Sequence, residues 1–185
     1  MWFRVFGTSE REPDQQHFAE ILQSWNASNV ASFQGDAQGW YAATLKAPDG
    51  ATLFQVDRYL ASEEGIRSEL NSWAAWLESQ ESQVNQERLM LHVISTKQLF
   101  TIDATRVFES PSHPRPLSPQ GRGVKDRNSL ALVSGERGSG EEDLMRLCQF
   151  LARQTAGVYQ VDGMGFFDQD GSCLLAEMPE ASIEN

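Results

Sequence analysis

The stretch from Ser110 to Gly140 constrains the fold more than any other part of this 185-residue chain. It gathers Pro111, Pro114, Pro116 and Pro119 with Gly121, Gly123, Gly135, Gly138 and Gly140. Proline and glycine at this density interrupt both helices and strands. Five basic residues (Arg115, Arg122, Lys125, Arg127, Arg137) face only Asp126 and Glu136, so its net charge is +3. The whole chain carries −11, which leaves −14 outside the stretch. A segment of this composition cannot build a core of its own. The fold must therefore be assembled from the residues on either side, about 154 in number and enough for one sizeable core. We read residues 1–185 as a single domain interrupted by an inserted, exposed loop at 110–140, with 179–185 as a loose tail. The apolar run Ser129–Val133 inside the loop reads as a short strand.

Two runs in this stretch are specific in spelling: His113-Pro114-Arg115-Pro116-Leu117-Ser118-Pro119-Gln120-Gly121-Arg122-Gly123, and Ser134-Gly135-Glu136-Arg137-Gly138-Ser139-Gly140. They resemble translated repetitive palindromic elements found inside bacterial genes, like reads through complementary arms of one inverted repeat. The resemblance covers about one sixth of the chain. It implies a bacterial source and an insertion tolerated at a surface position, and it implies nothing about activity.

Outside the stretch, periodicity predicts the elements. Trp2–Phe6 reads as a strand, and Pro13 suits the first turn of a helix whose apolar face is Phe18, Ile21, Leu22 and Trp25. Val30–Phe33, Trp40–Leu45 and Leu53–Tyr59 read as strands, the last two joined at Pro48-Asp49-Gly50. Ser62 is the expected cap of a middle helix reaching Gln80, with Ile66, Leu70, Trp73 and Leu77 as its stripe and Trp76 beside it. A shorter helix spans Gln86–Val93, and a strand follows at Gln98–Asp103. Ser139 with Glu142 fits a capping box opening a helix over Glu141–Thr155. Strands are then expected at Val158–Val161, Gly165–Phe167 and Cys173–Glu177, with Asp170-Gly171 in the last turn.

These elements form two similar halves. The first half (1–82) and the second (83–109 with 141–178, including the linking helix) each read strand–helix–strand–strand–strand. Gly39-Trp40-Tyr41 before Asp49-Gly50 parallels Gly165-Phe166-Phe167 before Asp170-Gly171. The expected fold class is α+β: two such halves with helices packed on antiparallel sheet, plus a middle helix. If the halves are duplicates, the strands after each helix must match in order and direction.

Chemistry-bearing motifs are few. GxSxG and CxxC do not occur, and Gly135–Gly140 lacks the GK[ST] ending of a phosphate loop. Cys148 and Cys173 read as reduced, structural thiols. Asp162, Asp168 and Asp170 read as turn residues rather than a calcium loop. No metal and no cofactor is expected. His17 lies on a helix beside Phe18 and His113 in the insert, which leaves His92 as the one candidate for catalysis. Arg58 and Arg67 lie among Asp57, Glu63, Glu64 and Glu69, either as an exposed ion-pair network or as a clamp for an anionic ligand. Trp25 and Trp73 have core spacing, whereas Trp40 and Trp76 read as surface anchors for a partner.

No apolar run approaches the ~18 residues of a membrane span, and Met1–Phe6 does not read as a signal peptide. A cytoplasmic location is expected. The acidic balance disfavours a nucleic-acid surface and suits steering toward a basic protein partner. The first reading is thus a non-catalytic acidic protein-interaction domain, of which immunity-like proteins are one kind. The others are a small-ligand-binding domain with Arg58 and Arg67 in a cleft, and an enzyme of unfamiliar type around His92.

Ordering each backbone residue costs ~1–2 kcal/mol, which the composition of Ser110–Gly140 does not offset. Limited proteolysis with trypsin is expected to cut first at Arg115, Arg122 or Arg127, as mapped by mass spectrometry; first cuts elsewhere would contradict the insertion reading.

Overall fold

A computed structural model describes residues 1–25, 28–80, 85–103 and 137–176. Residues 104–136 and 177–185 fall outside, and with them most of the loop expected at 110–140, the strand expected at 129–133 and the tail at 179–185. Statements below about what is absent concern the described residues.

Twelve elements follow in order: β1 (Trp2–Gly7), α1 (Gln15–Trp25), β2 (Val30–Asp36), β3 (Gly39–Lys46), β4 (Thr52–Leu60), α2 (Ile66–Ser79), α3 (Gln86–Ile94), β5 (Gln98–Asp103), α4 (Arg137–Thr155), β6 (Val158–Val161), β7 (Gly165–Phe167) and β8 (Cys173–Ala176). The eight strands form one sheet in the order β2-β3-β4-β5-β1-β6-β7-β8. Every neighbouring pair is antiparallel. The fold is α+β.

Alternation along the strands splits the apolar residues between two faces. On the front, Phe3, Val5, Phe100, Ile102, Tyr159 and Val161 pack with Phe18 and Leu22 of α1 and with Leu144, Leu147, Cys148 and Leu151 of α4. On the back, Phe6, Leu99, Val158 and Phe166 pack with Ile66, Leu70, Ala74 and Leu77 of α2 and with Leu89 and Val93 of α3. Both helical faces follow the i, i+3, i+4 spacing seen in the sequence. No helix of the described residues is long and apolar enough to cross a membrane.

Helix starts depart from the sequence expectation for local reasons. Asp14, rather than Pro13, opens α1: its Oδ1 accepts the His17 N–H at 2.7 Å. Ser62 does not cap α2, because residues 61–65 form a turn in which Glu63 Oε1 accepts the Leu60 N–H at 2.6 Å, and Gly65 precedes the helix. The α4 helix begins at Arg137, so the end of the expected loop, Arg137–Gly140, is helical. Its apolar periodicity starts only at Leu144, which is why the first polar turn carries no signal in the sequence.

The two halves repeat as series of elements, and the strands joined through α1 and through α4 run parallel in both. These two helices share the front face. The order within the sheet does not repeat. Helix α1 delivers the chain to the far edge, and the β2–β3–β4 meander returns inward to β5; α4 crosses only β1, and β6–β7–β8 runs outward. The two halves are therefore not superposable units. Asp49-Gly50 and Asp170-Gly171 mark the same kind of hairpin at different places in the sheet.

The end of β1 and the approach to β6 meet at two glycines. A Cβ on Gly157 would stand 2.7 Å from the Phe6 carbonyl oxygen, and one on Gly7 would stand 2.5 Å from Thr155 Oγ1. Gly157→Ala is expected to destabilise by about 1–3 kcal/mol through this backbone clash. Truncating fully buried Leu70 to Ala should cost ~2–5 kcal/mol through lost burial and the cavity left. Urea unfolding measures both, and wild-type midpoints would contradict the packing described.

Candidate functional site

Three cavities contain the polar side chains of interest, and the first is built around Arg58. Its place in β4 follows Phe54 and Val56 onto the front face, so the guanidinium enters the interior and only 5% of the residue is exposed. Its Nε donates to Gln98 Oε1 at 2.8 Å, and its Nη1 donates to the carbonyls of Trp40 at 2.8 Å and Gln38 at 3.4 Å. Gln98, on neighbouring β5, donates in turn to the carbonyls of Ser9 and Arg11 at 2.6 and 2.8 Å. The guanidinium also lies 5.9 Å from the centre of the Trp40 ring. Burial lowers the Arg58 pKa from its ordinary value, and the charges of Glu12, Glu63 and Asp36 oppose that shift. Arg67 donates Nη1 to the Ile94 carbonyl at 2.9 Å. Arg58, Arg67 and Lys97 line one cavity of about 450 Å³ together with Glu10, Gln38, Leu60, Ala61 and Ser62.

The second cavity, about 410 Å³, lies on the back between α2 and β6. Trp73 and Trp76, one turn apart on α2, present rings 5.7 Å apart at 74°, and Trp76 stacks on Phe166 at 6.1 Å. Glu69, Ser72, Gln160 and Asp162 complete the lining. Arg4 of β1 sits against this site. Its Nη1 meets Asp162 Oδ1 at 2.6 Å and Gln160 Oε1 at 2.8 Å, and its guanidinium stands 5.0 Å from the Trp73 ring centre. Glu69 makes no side-chain hydrogen bond or ion pair with the described residues.

His92 lines the third cavity with Thr8, Asn85, Arg88, Asp168 and Asp170, among others. Its Nε2 lies 2.9 Å from the Phe6 carbonyl oxygen. The partner is an acceptor, so Nε2 holds the proton and the ring ties α3 to β1. Burial lowers the His92 pKa, the Phe6 carbonyl raises it and Arg88 lowers it, for a net shift downward. The neighbours already have backbone partners: Thr8 Oγ1 donates to the Ala156 carbonyl, and Asp168 Oδ1 accepts from the Asp170 and Ser172 N–H groups. Asp168 is thus a turn residue, and no cluster of three or more His, Cys, Asp or Glu among the described residues is placed to hold a metal.

The residues singled out from sequence therefore scatter. Arg58 and Arg67 share a cavity, Trp76 lines a second and His92 a third. Arg58 is not part of an exposed ion-pair network, since amide and carbonyl groups hold it. Trp40 is not a surface anchor: it is 1% exposed, packs against Phe18, Phe33 and Phe100, and donates Nε1–H to the Pro13 carbonyl at 3.2 Å. The cause is a β-bulge. Gln34 pairs with Ala42 and Gly35 with Trp40, so Tyr41 is an extra residue and Trp40 turns onto the face of Ala43 and Leu45. Sequence reasoning missed Glu69 and Asp162 as cleft residues, and also Arg4, Lys97 and Gln98. Only the alternation of β1 and β5 hinted that Arg4 and Gln98 point into covered faces.

Compared with models of protein families, with curated proteins and with solved structures, the chain has no match in any of the three.

A lowered histidine pKa means that the folded protein resists the proton that the unfolded chain accepts. Stability from His92 is thus fully present above the ordinary value of about 6.5 and is lost as pH falls below it toward the folded value. His92→Gln, whose amide keeps a donor for the Phe6 carbonyl, should flatten the loss of unfolding free energy as pH falls below about 6.5. Parallel wild-type and variant profiles in urea titrations would show that His92 does not titrate as described.

Proposed function

We propose that this is a cytoplasmic, non-catalytic bacterial domain that binds a basic protein partner, taking a lysine or arginine side chain into the cleft lined by Glu69, Trp73 and Trp76. The observation that carries this reading is the pairing of two indole rings with a carboxylate, Glu69, that has no partner among the described residues. Cations are attracted to indole faces by ~0.5–2 kcal/mol, most strongly where water is excluded. The position beside Trp73 illustrates the chemistry within the chain, because Arg4 lies over that ring and pairs with Asp162. Glu69 and Trp76 offer a second such position that no described residue fills. The net charge of −11 supports this reading further, since it draws a basic partner from a distance.

Titration with a short lysine- and arginine-rich peptide, followed through the indole N–H resonances, tests the proposal. Trp73 and Trp76 are expected to shift while buried Trp40 does not. Trp76→Ala should weaken binding about tenfold, as loss of a well-formed cation–π contact implies. Glu69→Gln should weaken it several-fold and reduce its salt dependence. Shifts spread evenly over the surface, with an unchanged affinity for Trp76→Ala, would overturn the reading.

A further inference from the structure

The cavity lined by Arg58, Arg67 and Lys97 is unlike the rest of the chain in charge. Its lining holds three cations and one carboxylate, Glu10, within a protein whose net charge is −11. The other acids near Arg58 do not enter the lining, and each has a backbone partner. Glu12 accepts the Trp40 N–H, Glu63 the Leu60 N–H and Asp36 the Gln38 N–H.

The donors of the cavity are only partly used. Arg58 commits Nε and Nη1 to Gln98, Trp40 and Gln38, which fixes the plane of the guanidinium. Its Nη2 has no acceptor among the described residues, and no side-chain nitrogen or oxygen of the described residues is both buried and without a partner. That nitrogen therefore keeps some exposure to the cavity, although the residue as a whole is buried. Arg67 uses Nη1 alone. Lys97 stands 4.0 Å from Glu10, a pair with both side chains largely exposed and so a weak tie. Ser62 adds a hydroxyl, while Leu60 and Ala61 give the wall an apolar part.

We propose that this cavity binds a small-molecule phosphate monoester, with Arg58, Arg67 and Lys97 on the phosphoryl oxygens and the organic group against Leu60 and Ala61. The net +2 of the lining complements a monoester, which carries roughly −1.5 to −2 at neutral pH. Guanidinium groups suit phosphoryl oxygens through charge-assisted hydrogen bonds. The position of Arg58 is set by buried contacts before any ligand arrives, so little ordering is left to be done on binding. A volume of about 450 Å³ falls in the range of ordinary small-ligand sites.

Calorimetric titration of the full chain with phenyl phosphate, inorganic phosphate and benzoate tests the site. Phenyl phosphate is expected to bind saturably, and at least several-fold more tightly than either of the other two. Arg67→Ala/Lys97→Ala, at two exposed positions, should weaken it more than tenfold with an unchanged melting temperature. Glu10→Gln should tighten it. Absence of saturable binding, or equal binding by wild type and the double variant, would overturn the proposal. Benzoate binding as tightly would show a carboxylate site instead, and inorganic phosphate binding as tightly would show that the organic group is not recognised. If the double variant melts early, Lys97→Ala alone serves, with loss of at least threefold expected and no loss counting against the site.

Discussion

Both cores of this protein rest on the pairing of β1 with two strands that come much later in the chain. β1 is hydrogen-bonded to β5 on one side and to β6 on the other. Its alternation sends Phe3 and Val5 into the front core and Phe6 into the back core, all three fully buried. The His92 ring reaches the same strand from α3 through the Phe6 carbonyl. Remove β1 and the sheet divides into β2–β5 and β6–β8, each burying less apolar area to offset the entropy of ordering it.

Two arginines lie against tryptophans on opposite faces of this sheet. Arg4 lies over Trp73 on the back and Arg58 near Trp40 on the front. Their charges are balanced differently. Arg4 has a carboxylate at 2.6 Å and is close to neutral as a unit. Arg58 is held by an amide oxygen and two carbonyls, neutral groups that orient it without cancelling its charge. The same residue type thus supplies an ion-paired strut in one cleft and, in the other, a cation held by neutral groups with Glu12, Glu63 and Asp36 nearby.

Much of the architecture was legible in the sequence, because single-residue periodicity carries it. The strands β5, β6 and β7 fall at their expected positions, and the apolar stripes of α1, α2 and α4 are the ones that pack. What failed was whatever depends on partners distant in the chain or on one inserted residue. Strict alternation puts Trp40 on the face of Ala42 and Thr44; the extra Tyr41 reverses it. Turn residues revealed both hairpins but not the order of strands in the sheet, since a meander looks the same running inward or outward. Arg58 and Arg67 line one cavity, yet the Gln98 that orients Arg58 lies 40 residues away and carries no motif. The Trp73–Trp76 cleft needed Arg4 and Asp162, separated by 158 positions, to be seen as one site.

The central place of β1 has a consequence for synthesis. The apolar strand β1 is made well before its partners: it must remain unpaired until β5 emerges, and β6 lies beyond the proline-rich and basic stretch. At about 5–20 residues per second, translating those thirty or so residues adds about 2–6 s to the wait. During that interval β1 has one open edge and apolar side chains on both faces, the form in which strands meet wrong partners. Residues 2–7 therefore have to stay clear of wrong partners from the time they are made until Val158–Val161 follow.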